Sequence, residues 1–210
     1  MKTMNRNGPL ILGSAVTCED DTRAELCGLI VDSPTLRVSA IVVGGSVEPA
    51  RVVPFELICG VSGDGVRISC TAVSIRGLAP AEPGRVLDIT ENTGGWGLLS
   101  LIYATDTRAE TYLRLRERVL ACDGAVGRVH GCQVDVGKFP GQLTALLVNV
   151  GDAVEDLVVS APTRAITSMK GLVVLDMTRL TVHALPRFVP QPPPQENVAG
   201  PGTARQHPTV

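Results

Sequence analysis

Aromatic residues make up only 3% of this 210-residue chain. Its core therefore has to be assembled from Val, Leu, Ile and Ala, and a Val-rich core favours strands. Excess positive charge is also missing. A formal net charge of -2 argues against a general nucleic-acid binder, which needs a basic surplus to displace counterions. The longest apolar runs, Leu98 to Ala104 and Leu143 to Val150, fall well short of the roughly 20 residues that a membrane-spanning helix requires. Lys2 and Arg6 precede an apolar stretch from Leu10, but Gly13 breaks it early, so no secretory signal is expected. These features lead us to expect a cytoplasmic protein without membrane insertion. No Cys-x-x-Cys pair occurs among Cys18, Cys27, Cys59, Cys70, Cys122 and Cys132, which removes the usual zinc-ribbon pattern. Most of these thiols sit in apolar runs and read as small core hydrophobes. No Gly-Lys-Ser/Thr and no Gly-x-Gly-x-x-Gly is present, so no phosphate loop is expected. The sequence thus predicts no metal, no cofactor and no small-molecule substrate.

What the chain does contain is a repeat. Val16 to Asp32 reads VTCEDDTRAELCGLIVD and Val119 to Asp135 reads VLACDGAVGRVHGCQVD, equal in length and without a gap. Val16/Val119, Asp20/Asp123, Gly28/Gly131, Val31/Val134 and Asp32/Asp135 are identical pairs. Leu10 and Leu12 match Leu113 and Leu115 in the same register, and Val38 to Val43 matches Leu143 to Val148 after a slightly longer loop. Further on, Val52-Val53 is matched to Val158-Val159, and a closing strand ending in Thr runs over Val66 to Thr71 and Val173 to Thr178. Self-similarity of this kind is the mark of duplication.

Each copy reads as short strands separated by Gly, Asp, Pro and Ser clusters, the pattern of a small barrel or sandwich. Expected strands in the first copy are Leu12 to Cys18, Ala24 to Asp32, Val38 to Val43, Arg51 to Pro54 and Val66 to Thr71. Turns are expected at Glu19-Asp20-Asp21, at Ser62 to Gly65 and at Lys170-Gly171. Asp123-Gly124 predicts a tight hairpin with positive φ at both central positions. Closure into a barrel would remove exposed strand edges.

A start strand, an Asp-Gly turn, a Gly-x-x-Val-Asp step, LTALLV, the Val52-Val53-Pro54 step and the final VVLDMT together resemble the PRC-barrel family. That family is named for the photosynthetic reaction centre H subunit and also occurs in a ribosome maturation factor. The resemblance covers about Leu10 to Thr71 and Leu113 to Thr178. It implies an all-β chain of two small PRC-like β-barrels in tandem. Copy one departs in its longer charged turn from Glu19 to Arg23, and copy two has Val159-Ser160-Ala161-Pro162 where Val-Pro is expected.

The expected organisation is a first barrel over 1–78, a linker over 79–112, a second barrel over 113–185 and a disordered Pro-rich tail over 186–210. The linker opens on Ala79 to Gly84, rich in structure breakers. Beyond it, Arg85 to Ile89 and Leu98 to Ala104 can pair as a hairpin, or Asp106 can cap a short helix through Tyr112. The tail holds Pro190, Pro192-Pro193-Pro194, Pro201 and Pro208, too little apolar surface to fold.

Candidate contact residues are few. Trp96, the only tryptophan, lies in Gly94-Gly95-Trp96-Gly97 and is either a partner anchor or packing over a domain seam. Arg114, Arg116 and Arg118 alternate with Leu113, Leu115 and Glu117, so on a strand they share one face. That face suits an acidic partner or an RNA phosphate track, or is simply the solvated outside of a barrel. His130 and Cys132 also share a face, with Cys27 at the position matching His130. Nucleophilic catalysis, however, needs an oriented base in contact with the thiol, and a packed or edge His is the plainer reading. Asp32 and Asp135 end matched strands and read as turn chemistry rather than as an acid/base pair. The preferred expectation is a non-enzymatic protein-binding adaptor or scaffold, with a protein partner or self-association. An RNA- or ribosome-associated assembly factor and a thiol-dependent enzyme or redox sensor stand as alternatives, with RNA the less favoured partner.

Overall fold

Strands begin where apolar alternation begins. In Arg23–Asp32 (β3) residues 24, 26, 28, 29 and 31 are buried and residues 23, 25, 27, 30 and 32 are more exposed. The following strand, Arg37–Gly44 (β4), is buried at every position from Ala40 onward, as expected of a strand covered on both faces. These strands belong to a computed structural model that describes residues 7–45, 49–62, 65–81, 110–135, 141–151, 157–169 and 172–190. The first half also holds Asn7–Ile11 (β1), Ala15–Thr17 (β2), Arg51–Pro54 (β5), Ile58–Ser62 (β6), Gly65–Ile68 (β7) and the helix Ala72–Arg76 (α1). The second half repeats the order as Glu110–Arg114 (β8), Arg118–Ala121 (β9), Gly124–Asp135 (β10), Gly141–Asn149 (β11), Val158–Pro162 (β12), Ile166–Ser168 (β13), Val173–Leu175 (β14) and Arg179–His183 (α2). The described chain is predominantly β, joined in one 14-stranded sheet.

The pairings recur in both halves. β2 is antiparallel to β3 and parallel to β7, and β9 is antiparallel to β10 and parallel to β14. β4 pairs with β5 as β11 pairs with β12. These registers correct one sequence match. Ala40 faces Pro54 and Ala145 faces Pro162, so the counterpart of Val52-Val53-Pro54 is Ser160-Ala161-Pro162 and not Val158-Val159. Both prolines lead into a 3-10 turn, Phe55–Leu57 or Thr163–Ala165. The halves meet directly where Arg37 of β4 faces Gln142 of β11.

The first strand of each half, however, pairs with the other half. β1 lies antiparallel on β10, with Leu10 opposite Cys132 and Ile11 opposite Gly131. β8 lies on β3 in the equivalent register, with Leu113 opposite Leu29 and Arg114 opposite Gly28. Leu10 and Leu113 are completely buried, and a single hydrophobic cluster runs through both halves. The identical pair Gly28/Gly131 has its reason here. A Cβ at Gly131 would overlap the Leu10 carbonyl oxygen, and one at Gly28 would overlap the Tyr112 ring.

Other shared residues serve different ends from those expected. Thr71 and Thr178 do not close strands: each caps a five-residue helix, its Oγ1 accepting the N–H of Ser74 or Thr181. Asp20 and Asp123 reinforce these starts by accepting the N–H of Ala72 (3.1 Å) and Arg179 (2.7 Å). The Asp123 hairpin is present, but its loop residues are Cys122 and Asp123, with Gly124 facing Ala121 as the first strand residue. Among these, only Gly124 has positive φ. The alternative of a helix through Tyr112 gives way to β8. Residues 186–188, expected within the tail, add to the sheet: Ser160 N–H donates to Pro186 O, Phe188 N–H donates to Val158 O, and Arg187 bridges Val159. Pro80 bridges Arg51 in the same way in the first half. Residues 191–210 of the tail, most of the linker and the Lys170-Gly171 turn lie outside the described residues.

Gly28→Ala and Gly131→Ala are each expected to lower stability by about 1–3 kcal/mol, the usual cost of forcing extra atoms into a packed contact. Urea unfolding checks this, with a shift of the midpoint at unchanged slope as the expected result.

Candidate functional site

β8 brings ionisable side chains into the junction between the halves. Tyr112 faces Ile30, and its ring lies over Gly28. Two residues on, the guanidinium of Arg114 stands 5.0 Å from the centre of that ring, a cation–π distance. The chain then turns at Leu115 and Arg116, and Glu117 folds back so that its Oε2 accepts the Arg114 N–H at 3.1 Å. Arg114 Nε is buried without a hydrogen-bond partner among the described residues. Cys27 sits beside this group at a β-bulge between Leu26 and Gly28, its Sγ 3.6 Å from Glu25 O.

Burial pushes the Glu117 carboxyl above the ordinary carboxylate range, opposed by the Arg114 N–H and guanidinium. Burial likewise raises Tyr112, with the Arg114 charge opposing and Cys27 and Glu117 adding to the rise. Cys27 is raised by burial and then by Glu25, and Cys132 is raised by complete burial. These shifts keep the thiols protonated, which withholds the thiolate that nucleophilic chemistry needs. What the junction can do is hold the Arg114 charge against the Tyr112 ring with a buried carboxyl beside it. At the opposite end of β8, Ser33 and Thr111 hydroxyls bond at 2.6 Å, and Ser39 Oγ donates to Glu110 Oε1 at 3.2 Å.

The crossing in the other half is apolar by comparison. Pro9, Ile11 and Ser14 occupy the positions of Tyr112, Arg114 and Glu117. The two halves therefore present matched frames, and only the β8 crossing places Arg and Glu at these positions.

The predicted arginine stripe does not form. Arg114 ends β8, Arg116 lies in the turn with φ of 65°, and Arg118 opens β9. A strand's alternation cannot pass through a left-handed residue, so the three guanidiniums do not share one strand face. Arg116 O instead accepts a bond from Arg128 Nη1 at 3.1 Å. His130 occupies the bulge of β10 equivalent to that of Cys27, and its carbonyl accepts the N–H of Leu12. Cys132 is buried beneath β1. Trp96 lies outside the described residues. Asp32 and Asp135 end β3 and β10 as expected, and the Asp32 carboxylate accepts the Thr35 hydroxyl in the turn that follows. Among the described residues no group of three or more His, Cys, Asp or Glu can hold a metal ion, and no helix is long and apolar enough to cross a membrane.

Sequence reasoning missed Tyr112, Glu117 and the exposed pair Val73 and Leu180, which are 73% and 82% exposed. Val73 and Leu180 are the second residues of α1 and α2. The signal was present: extending the repeat past Thr71 and Thr178 aligns Val73 with Leu180, Ile75 with Val182 and Leu78 with Leu185. No protein-family model matches the chain, and no curated protein matches it.

The raised Glu117 sets a pH dependence. The folded chain keeps this proton to higher pH than the unfolded chain does, so its contribution to stability is complete below the ordinary Glu range. The contribution declines as pH rises through the raised value. Glu117→Gln keeps an acceptor for the Arg114 N–H but removes the titration. We expect Glu117→Gln to be the more stable protein at pH 7 and to lose that advantage near pH 4, as read from urea midpoints across the range.

Proposed function

We propose that this chain is a non-enzymatic, protein-binding adaptor or scaffold built from two PRC-like barrels, acting in the cytoplasm. One observation carries the reading: the two helices expose a large apolar side chain at the same position, Val73 in one half and Leu180 in the other. A lone exposed Val or Leu is ordinary. Here the exposure persists at matched positions although the flanking residues differ, Ala72 against Arg179 and Arg76 against His183. Each side chain leaves about 1.5–3 kcal/mol of burial unrealised, an amount that a partner recovers by covering it. Two such points, one on the short helix of each half, suit a partner that engages both halves at once, for which effective concentration multiplies the affinity of either contact.

The barrel reading is supported by the recurrence in each half of one strand order, with a parallel closing pair, β2 with β7 and β9 with β14. All six cysteines are free, which fits a reducing compartment.

The test is affinity purification from the native host with the wild type and with Val73→Asp, Leu180→Asp and the double variant. The reading expects one protein at fixed stoichiometry on the wild type. Each single change should weaken capture about tenfold, as loss of a buried apolar contact does, and the double change should abolish it. Equal capture by the wild type and the double variant, or recovery of RNA in place of protein, would refute the proposal.

A further inference from the structure

We propose that the edge of β10 from Gly131 to Asp135, which the chain's own β1 covers, is a strand-acceptor site, and that a second copy of this chain can fill it with its own β1 to give a strand-exchanged dimer. The inference is independent of the docking reading above, because it uses the sheet edge and not the helices.

The hydrogen bonds locate the hinge. Leu12 N–H donates to His130 O of the second half, and the next residue, Gly13, donates its N–H to Leu26 O of the first half. The chain thus passes from one half's ladder to the other's within a single step. Gly13 takes φ of 86° at that step, a conformation that glycine adopts without strain. All β1 contacts with the second half lie before this hinge.

The acceptor is built for a strand and not for one particular tether. Gly131 lets the incoming backbone approach at Leu10 and Ile11, and the completely buried Leu10 supplies the apolar anchor. β8 on β3 shows that the same frame accepts a different sequence, ETYLR in place of NGPLI, in the same register. A β1 from another molecule would make contacts identical to those of the resident strand. Closed monomer and exchanged dimer therefore differ only in the hinge and in concentration, the usual condition for strand exchange.

Pro9 provides the means of testing this. It faces Gln133 and has no N–H, and Leu12 N–H bonds to His130 O three residues on. Both facts place Pro9 and Gln133 at a non-hydrogen-bonded pair, where Cα atoms approach to about 4.5 Å, within disulfide range. Full-length Pro9→Cys and Gln133→Cys proteins would be mixed at high concentration, oxidised and compared with the wild type, whose exposed Cys122 sets the background. The double variant Pro9→Cys/Gln133→Cys should link internally and run as a closed monomer at low concentration. The mixture of single variants should yield a disulfide-linked heterodimer several-fold above background, increasing with protein concentration and lost when Leu10→Asp is added to the Pro9→Cys chain. Internal linkage of the double variant with no heterodimer from the mixture would overturn the exchange. Failure of the double variant to link would overturn the acceptor itself.

Discussion

Everything else in this structure depends on the ladder between each first strand and the opposite half. β1 on β10 and β8 on β3 bury Leu10 and Leu113 completely, and they merge what would be two cores into one cluster. Neither half has its own first strand paired on its long strand. The long strand uses one edge for two neighbours in succession. β2 covers β3 from Arg23 to Glu25, and β8 covers the same edge from Gly28 to Asp32. The glycine at that point of β3 is therefore fixed by the Tyr112 ring and the Leu113 carbonyl, its counterpart in β10 by the backbone of Leu10 and Ile11, and neither by a turn.

A fused, exchanged pair differs from two beads on a string. In a tandem array each unit's stability is its own, and a linker sets only reach. Here the loss of contacts at one crossing exposes the core of both halves. Arg37 and Gln142, counterparts in the two copies, face one another where β4 meets β11, as residues do when related units meet about an axis between them. The repeat thus has the geometry of a two-fold dimer within one chain.

Much of this was legible in the residues. The repeat from Val16 to Asp32 and Val119 to Asp135 corresponds to β2 with β3 and β9 with β10, and the all-β class follows from its alternation. The exchange was not legible, because a strand with Leu at its buried position shows the same period whichever long strand it joins. α1 and α2, at five residues each, are too short to display a helical period, so their capping threonines read as strand ends. The break in the arginine stripe was hidden for a related reason. Copy one marks the turn with Gly13, a recognisable signal, but copy two has Arg116 at that position, in a conformation that costs a non-glycine residue about 1–2 kcal/mol.

That strained arginine bears on how the two crossings diverged. At the β1 crossing the turn is relaxed by Gly13 and its neighbours are the apolar Pro9 and Ile11. At the β8 crossing the turn is strained, yet it is held on every side: Arg116 N–H donates to Val129 O, Arg116 O accepts from Arg128, Glu117 O accepts the Val129 N–H, and Glu117 Oε2 accepts the Arg114 N–H. Burying Glu117 beside Arg114 costs stability on balance, since desolvation outweighs the Arg114 charge and N–H. Its physical effect is on geometry, because a carboxylate that must find partners when buried tolerates only one path for the chain. The polar crossing therefore locks β8 in place, whereas the apolar crossing, with a glycine hinge and no charged clasp, leaves β1 as the strand that is able to move.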